Sequence, residues 1–390
     1  MVLCRFFSVA LFLLLLSNVV FGAQRSRKRR VHRATHATVT ARATTMRTAR
    51  VRPARYVPTI PSRTGPVVRG GPWTEPTYAD STEGDYVDGE DLDVRSAAVE
   101  ALGPYNGSVL VVDPNGGRIL SMVNQKLALG GGFQPCSTVK VSVALAALME
   151  GLIEPPAAAR SKSGMNLTWA LAHSNNTYFA NLGTRLGFAR VSHYARLFGY
   201  GEKAGLDISG ERPGRFPSAP PRNGGVGMLT SFGEEISQTP LQLAALISAL
   251  ANGGTLYYLQ YPRTPMEIAG FTPRVKRRLD IQECIPAVKP GMLGAVEFGT
   301  ARRAQQDAPI AGKTGTCTDG HTHMGWFGSF NDQGRKLVVV VMLTGGRPAV
   351  GPVAAGIAGQ VYRNLAQRRF LSPDAGPAPA LVSTPACCTR

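Results

Sequence analysis

Five residues in this 390-residue chain combine type and spacing suited to chemistry: Ser137, Lys140, Ser174, Asn176 and Lys313. A serine hydroxyl becomes a nucleophile when a neighbouring base takes its proton, and a desolvated lysine can be that base. Ser137-Thr138-Val139-Lys140 places the two groups three residues apart, on one face of a helix. Ser-x-x-Lys alone recurs by chance, and a helix start with an exposed lysine is its plainer reading. Two more clusters change that balance. Ser174-Asn175-Asn176 offers a second hydroxyl and an amide, and Lys313-Thr314-Gly315-Thr316 offers a second amine and two more hydroxyls.

Such groups must be held by particular elements. Pro135 suits a helix entry, where a missing N–H costs nothing. Val139, Val141, Val143, Ala144, Leu145, Ala147, Leu148 and Met149 then cover most of a helix circumference, the pattern of a buried helix. Gly151 is placed to end it, and Pro155 and Pro156 prevent its resuming. Ser137 is thus expected in the first turn, at the positive end of the helix dipole. Ser174-Asn175-Asn176 is expected as a loop between helical stretches 167–173 and 177–186, and Lys313 in a strand.

Further strands are expected as a hairpin, 108–113 and 119–123, and as a meander, 310–316, 324–330 and 337–343, turning at 331–334. A last helix near 352–370 packs across that sheet. The expected fold class is α+β: an antiparallel sheet flanked by helices, an all-helical subdomain, and the active site between them.

Ser-x-x-Lys, Ser-x-Asn and Lys-Thr-Gly in this order match the set of penicillin-recognising serine enzymes, and the chain resembles the transpeptidase domain of penicillin-binding proteins. The resemblance runs from about Asp91 to about Leu371. It includes an opening helix near 92–102, Gly205-Leu206-Asp207-Ile208 after the second motif, Thr239-Pro240-Leu241-Gln242-Leu243-Ala244, Gly299-Thr300-Ala301 and Trp326-Phe327.

The resemblance implies the roles. Ser137 attacks a terminal D-Ala-D-Ala carbonyl and forms an acyl-enzyme, with neutral Lys140 as general base. Ser174 relays a proton to the departing amine. Asn176 orients Lys140 and hydrogen-bonds the substrate's amide. Lys313, Thr314, Gly315 and Thr316 form the substrate-binding strand, where Lys313 supplies positive potential for the carboxylate and the Thr316 hydroxyl, with Thr314, binds it. The backbone N–H groups of Ser137 and Thr316 form the oxyanion hole. No cofactor and no metal are implied: His321 and His323 flank a hairpin turn without further ligands.

The flanks have a different composition. Residues 1–23 form a short apolar run ending in small residues, expected as a signal peptide or an N-terminal anchor. Arg25, Arg27, Lys28, Arg29 and Arg30 follow directly, and charge there opposes translocation; export is still favoured, because the implied chemistry belongs outside the cytoplasm. Residues 24–55 carry eleven Lys and Arg and no acid, most of the net +18. Together with the Pro- and Gly-rich and acidic stretch to residue 90 they are expected as a disordered linker. For an exported chain the basic part, Arg25 to Arg55, suits anionic membrane or envelope polymer better than nucleic acid. The transpeptidase domain is expected over 91–371 and a disordered tail over 372–390. A non-catalytic pedestal and a glycosyltransferase domain are not expected.

Three departures from the family stand out. The interval from Ser137 to Ser174 is short, so the upper wall of the cleft is trimmed. Cys136 replaces the glycine usual before the nucleophile, and Pro-Cys-Ser-Thr resembles class D β-lactamases and β-lactam sensors. No Glu-x-x-Leu-Asn is present to activate a deacylating water. The expected activity is a D,D-transpeptidase acting on peptidoglycan stem peptides and acylated by β-lactam antibiotics. Its alternatives are a D,D-carboxypeptidase, a class D-like β-lactamase and a non-catalytic sensor, although a sensor needs a transmembrane signalling segment. Cys136 and Cys317 adjoin motifs that this family brings together, so a disulfide is conceivable between them. Two buried free thiols weigh slightly more.

Overall fold

The computed structural model describes residues 74–154 and 166–372. The leader over 1–23, the basic stretch over 24–55 and the tail beyond Ser372 lie outside the described residues. Among the described residues no helix is long and apolar enough to cross a membrane.

The chain opens with α1 (Leu92–Leu102), the hairpin β1 (Gly107–Asp113) and β2 (Arg118–Val123), and the short α2 (Gln125–Leu129). A helical unit follows: α3 (Val139–Met149), α4 (Leu167–Ala172), α5 (Asn176–Leu197), α6 (Gly225–Phe232) and α7 (Pro240–Ala251). Next come β3 (Thr255–Tyr257), α8 (Pro265–Ala269), β4 (Val275–Arg278) and α9 (Ile285–Glu297). The chain closes with β5 (Ile310–Asp319), β6 (Thr322–Asn331), β7 (Val338–Gly345) and α10 (Gly351–Gln367).

The main sheet is antiparallel throughout, in the order β2-β1-β7-β6-β5, with β3 and β4 as a separate pair. Both of its faces are covered. Val338, Val340 and Met342 of β7 join the core shared with the helical unit, while Val339, Val341 and Leu343 face the core under α1 and α10. Double-sided burial is why β7 is an unbroken apolar run rather than an alternating one. The hairpin, the meander and the closing helix all lie where the sequence puts them.

Local chemistry sets the helix boundaries. Thr239 and Gln242 form a capping box at the start of α7, whose twelve residues are all buried. The Gln242 amide also donates to the carbonyl oxygens of Glu202 (2.7 Å) and Pro213 (2.6 Å), tying the loop after α5 to the core. Gly151 has φ 63°, the left-handed conformation of a helix stop. Ser137 lies in a 3₁₀ turn, Cys136–Thr138, leading into α3 rather than in its first α-helical turn. Asn176 is the first residue of α5 rather than part of a loop, because the Asn175 side chain caps that helix by accepting from the Tyr178 N–H. The expected helix over 177–186 continues to Leu197 across a kink at Gly187, whose φ of 74° breaks the helical geometry.

The linker boundary at residue 90 is corrected by the structure. Residues 74–90 form a belt along one end of the sheet. Thr74 N–H donates to His321 O at the β5–β6 turn (3.0 Å), and the Thr77 hydroxyl accepts from the Gly346 N–H (2.8 Å). Two acidic residues of this stretch, expected as disordered linker, find partners. Asp85 accepts from the backbone N–H of Asn124 and Gln125 and pairs with Arg95 at 2.7 Å. Glu90 is fully buried, accepts from the Ser121 hydroxyl and the Met122 N–H (both 2.9 Å), bonds to the Tyr261 hydroxyl, and faces Arg95. Burial pushes its carboxyl up, and the Arg95 charge opposes that shift.

Arg95→Ala should therefore strand two acids, one of them wholly buried, and cost about 3 kcal/mol. Urea denaturation of the full chain measures this. A loss below about 1 kcal/mol, the scale of an exposed pair, means that the cluster does not hold the belt.

Candidate active site

The site lies where the head of α3, the α4–α5 junction and edge strand β5 converge. Lys140 Nζ is its centre. The amine has no solvent exposure and lies 2.8 Å from Ser137 Oγ, 3.0 Å from both Ser174 Oγ and Ser174 O, and 2.6 Å from Asn176 Oδ1. The rings of Phe179 and Phe232 wall it at 5.8 and 5.9 Å. Burial lowers its pKa to about 7. A neutral amine has two N–H groups and one lone pair. The two carbonyl oxygens, of Ser174 and Asn176, can take the hydrogens, which leaves the lone pair for the Ser137 hydroxyl.

Lys313 is also fully buried, and its Nζ donates to Thr314 O at 3.0 Å. Burial, with the nearby Lys140, holds its pKa well below the usual lysine range. The two threonines of this strand differ. Thr314 is buried and its hydroxyl lies 2.6 Å from that of Thr300, whereas Thr316 is exposed and its hydroxyl accepts from the Gly351 N–H at 2.8 Å. The Thr316 hydroxyl hydrogen therefore remains available to a ligand.

Several contacts hold the nucleophile turn. Trp326 of β6 donates its indole N–H to Gln134 O at 3.0 Å, Phe133 pairs with Gln238 through the backbone, and the Thr138 hydroxyl donates to Pro135 O at 2.7 Å. Gly315 must be glycine, because a Cβ there would approach Pro135 O to 2.8 Å. Cys136 and Ser174, on either side of the lysine, both adopt left-handed backbone at φ 52° and 56°. For a non-glycine residue this stores about 1–3 kcal/mol, a strain that concentrates at functional sites.

Cys136 and Cys317 are joined by a disulfide with Cα atoms 5.6 Å apart, which overturns the free-thiol reading. The motifs approach because the turn before α3 packs directly on β5. The bond closes over a separation of 181 residues and ties the turn that carries Ser137 to β5. Among the described residues Cys284 is a free thiol, and it is buried.

The structure thus brings Ser137, Lys140, Ser174, Asn176 and Lys313 together, with Thr314, Gly315 and Thr316 on the adjoining strand. Sequence reasoning missed Phe179 and Phe232 around the amine; Phe179, three residues after Asn176 on α5, was within reach of a helical-spacing argument. Among the described residues no group of three or more His, Cys, Asp or Glu is placed to hold a metal ion. A separate cavity of about 680 Å³, lined by Tyr86, Tyr261 and Arg263, contains none of the site residues.

A family model described as the penicillin-binding protein transpeptidase domain matches residues 107–364. Stage V sporulation protein D of Bacillus subtilis is 30% identical over 317 residues, covering 68% of this chain and 48% of that protein. The peptidoglycan D,D-transpeptidase MrdA of Haemophilus influenzae is 25% identical, covering 68% of this chain and 54% of its own length. The chain therefore spans about half the length of the curated relatives it matches. Among solved structures, PBP2 of Pseudomonas aeruginosa in complex with WCK 5153 superposes with a TM-score of 0.61 at 25% identity, covering 74% of this chain and 79% of that one.

If the clamp is as described, non-reducing digestion should recover Cys136 and Cys317 in one linked peptide that separates on reduction. Alkylation of both cysteines without prior reduction would show that the bond is absent in solution.

Proposed function

Because the chain belongs to the family of penicillin-binding protein transpeptidase domains, we propose that it is an exported D,D-transpeptidase that joins peptidoglycan stem peptides through a serine ester. One observation carries this reading: the buried Lys140 amine lies within 3.0 Å of both the Ser137 and the Ser174 hydroxyls. Neutral Lys140 takes the Ser137 proton as Oγ attacks the carbonyl of the penultimate D-Ala. The N–H groups of Ser137 and Thr316 stabilise the oxyanion, where loss of one donor typically costs ~3 kcal/mol. Ser174 passes a proton to the leaving amine, and Asn176 holds Lys140 and meets the substrate's amide.

The terminal carboxylate lies against Lys313, Thr314, Gly315 and Thr316. Without an anion, burial disfavours charge on Lys313. An arriving carboxylate supplies the opposite charge that restores it, so anion binding and lysine protonation are coupled. The same ester passed to water makes the protein a carboxypeptidase. β-Lactams acylate Ser137 as substrate mimics. The basic stretch over 24–55 tethers the protein to anionic membrane or envelope polymer.

Penicillin should add covalently to Ser137 and persist, as read by intact-protein mass spectrometry with Ser137→Ala as the unreactive control. The acylation rate should rise with pH through about 7, since the base must be deprotonated and burial lowers its pKa to about 7. An unmodified wild type rejects the enzyme reading, and rapid return of free enzyme marks a β-lactamase instead.

Deleting residues 24–55 should leave acylation intact and reduce retention on anionic vesicles. That retention should fall with salt, because exposed charges are screened beyond ~10 Å at moderate ionic strength. Equal binding of both forms at low salt removes the tether.

A further inference from the structure

Three aromatic side chains form an exposed patch beside the segment that carries Ser174. Trp169 and Phe298 are 42% and 46% exposed, large values for such residues. The Trp169 and His173 rings lie 4.3 Å apart between centroids, and His173 and Phe298 lie 5.7 Å apart. No hydrogen bond of the catalytic cluster uses them, yet the backbone ties them to it. His173 immediately precedes Ser174. Phe298 stands two residues before Thr300, whose N–H donates to Ala172 O (3.1 Å) and whose hydroxyl meets that of Thr314. Gly299 permits this approach, since a Cβ there would fall 2.1 Å from Ala172 O.

The direction of the substrate strand decides what reaches this patch. With the oxyanion at the Thr316 N–H and the terminal carboxylate drawn toward Lys313 and Thr314, the acyl chain runs out over Thr318. The departing residue then lies toward Thr314, Thr300 and the aromatic patch. An amine attacking the ester retraces the path of the amine that left it.

We propose that Trp169, His173 and Phe298 form the acyl-acceptor subsite, which holds an aliphatic chain ending in a primary ammonium beside the Ser137 ester. The inference rests on the transpeptidase reading. Aromatic faces attract cations, and their apolar bodies pack the aliphatic stem. The bound ammonium loses one proton to solvent, and its nitrogen lone pair then bonds to the acyl carbon. The C–Oγ bond breaks with its electron pair on Ser137 Oγ, and the second amine proton passes through Ser174 and Lys140 to that oxygen. Water gains nothing from the patch, so the three rings bias the ester toward transfer over hydrolysis.

The test uses the full chain with diacetyl-L-Lys-D-Ala-D-Ala as donor and Nα-acetyl-L-lysine amide as acceptor. Chromatography gives the ratio of amide product to hydrolysed donor, and penicillin acylation is followed in parallel. Trp169→Ala and Phe298→Ala should each lower the ratio at least about fivefold and raise the acceptor KM, with hydrolysis continuing. Trp169→Phe should retain most of the ratio, and Met266→Ala, an exposed apolar change elsewhere, should leave it unaltered. An unchanged ratio in both alanine variants overturns the inference. So does a parallel loss of acylation and transfer, which marks a structural role. A wild type that forms no ester at all overturns the transpeptidase reading and this inference together, a result distinguishable by the missing acyl-enzyme mass.

Discussion

Removing the Lys140 amine from water is the constraint on which the site depends. Burying an ammonium is unfavourable unless it is paired, and no carboxylate lies among the hydrogen-bond partners of this one. Its neighbours are two hydroxyls, a backbone carbonyl and an amide oxygen. Such a set suits a neutral amine, which burial favours over the charged form. The side chain has no solvent exposure, and this desolvation is what lowers its pKa to about 7. An amine ordinarily charged at neutral pH is thus brought to titrate near it.

The backbone is strained on both sides of this lysine. Cys136 and Ser174 keep left-handed backbone that only a well-determined surrounding can impose. The disulfide to Cys317, the indole bond from Trp326 and the contact of Gly315 with Pro135 supply that surrounding at the nucleophile. A cross-link of this kind acts mainly by limiting the unfolded chain, more so for long loops. Here it joins the turn that carries Ser137 to strand β5.

The sheet gives β5 its fixed position. Covered on both faces and belted at one end by residues 74–90, it leaves β5 as the edge strand next to the nucleophile. An edge strand is usually a liability because its backbone groups are open to pairing. The same open edge is also the kind of surface on which an extended peptide can add as a further strand.

What the sequence alone determined was whatever depends on local order. The three clusters of Ser, Lys, Asn and Thr, the all-round apolar helix after Ser137, and the meander and its turn are periodicities and spacings over a few residues. Proximity across long separations was beyond it. The state of Cys136 and Cys317 depended on how closely a turn packs on a strand 181 residues away, and local pattern gave no measure of that distance. The acidic residues before Asp91 looked like disordered linker because their partners, Arg95 and the backbone N–H groups of Asn124 and Gln125, come together only in the folded domain. The same holds for the amine of Lys140. Its sequence position named a candidate base, but its neutrality comes from desolvation, and desolvation is decided by every segment that tertiary packing places around it.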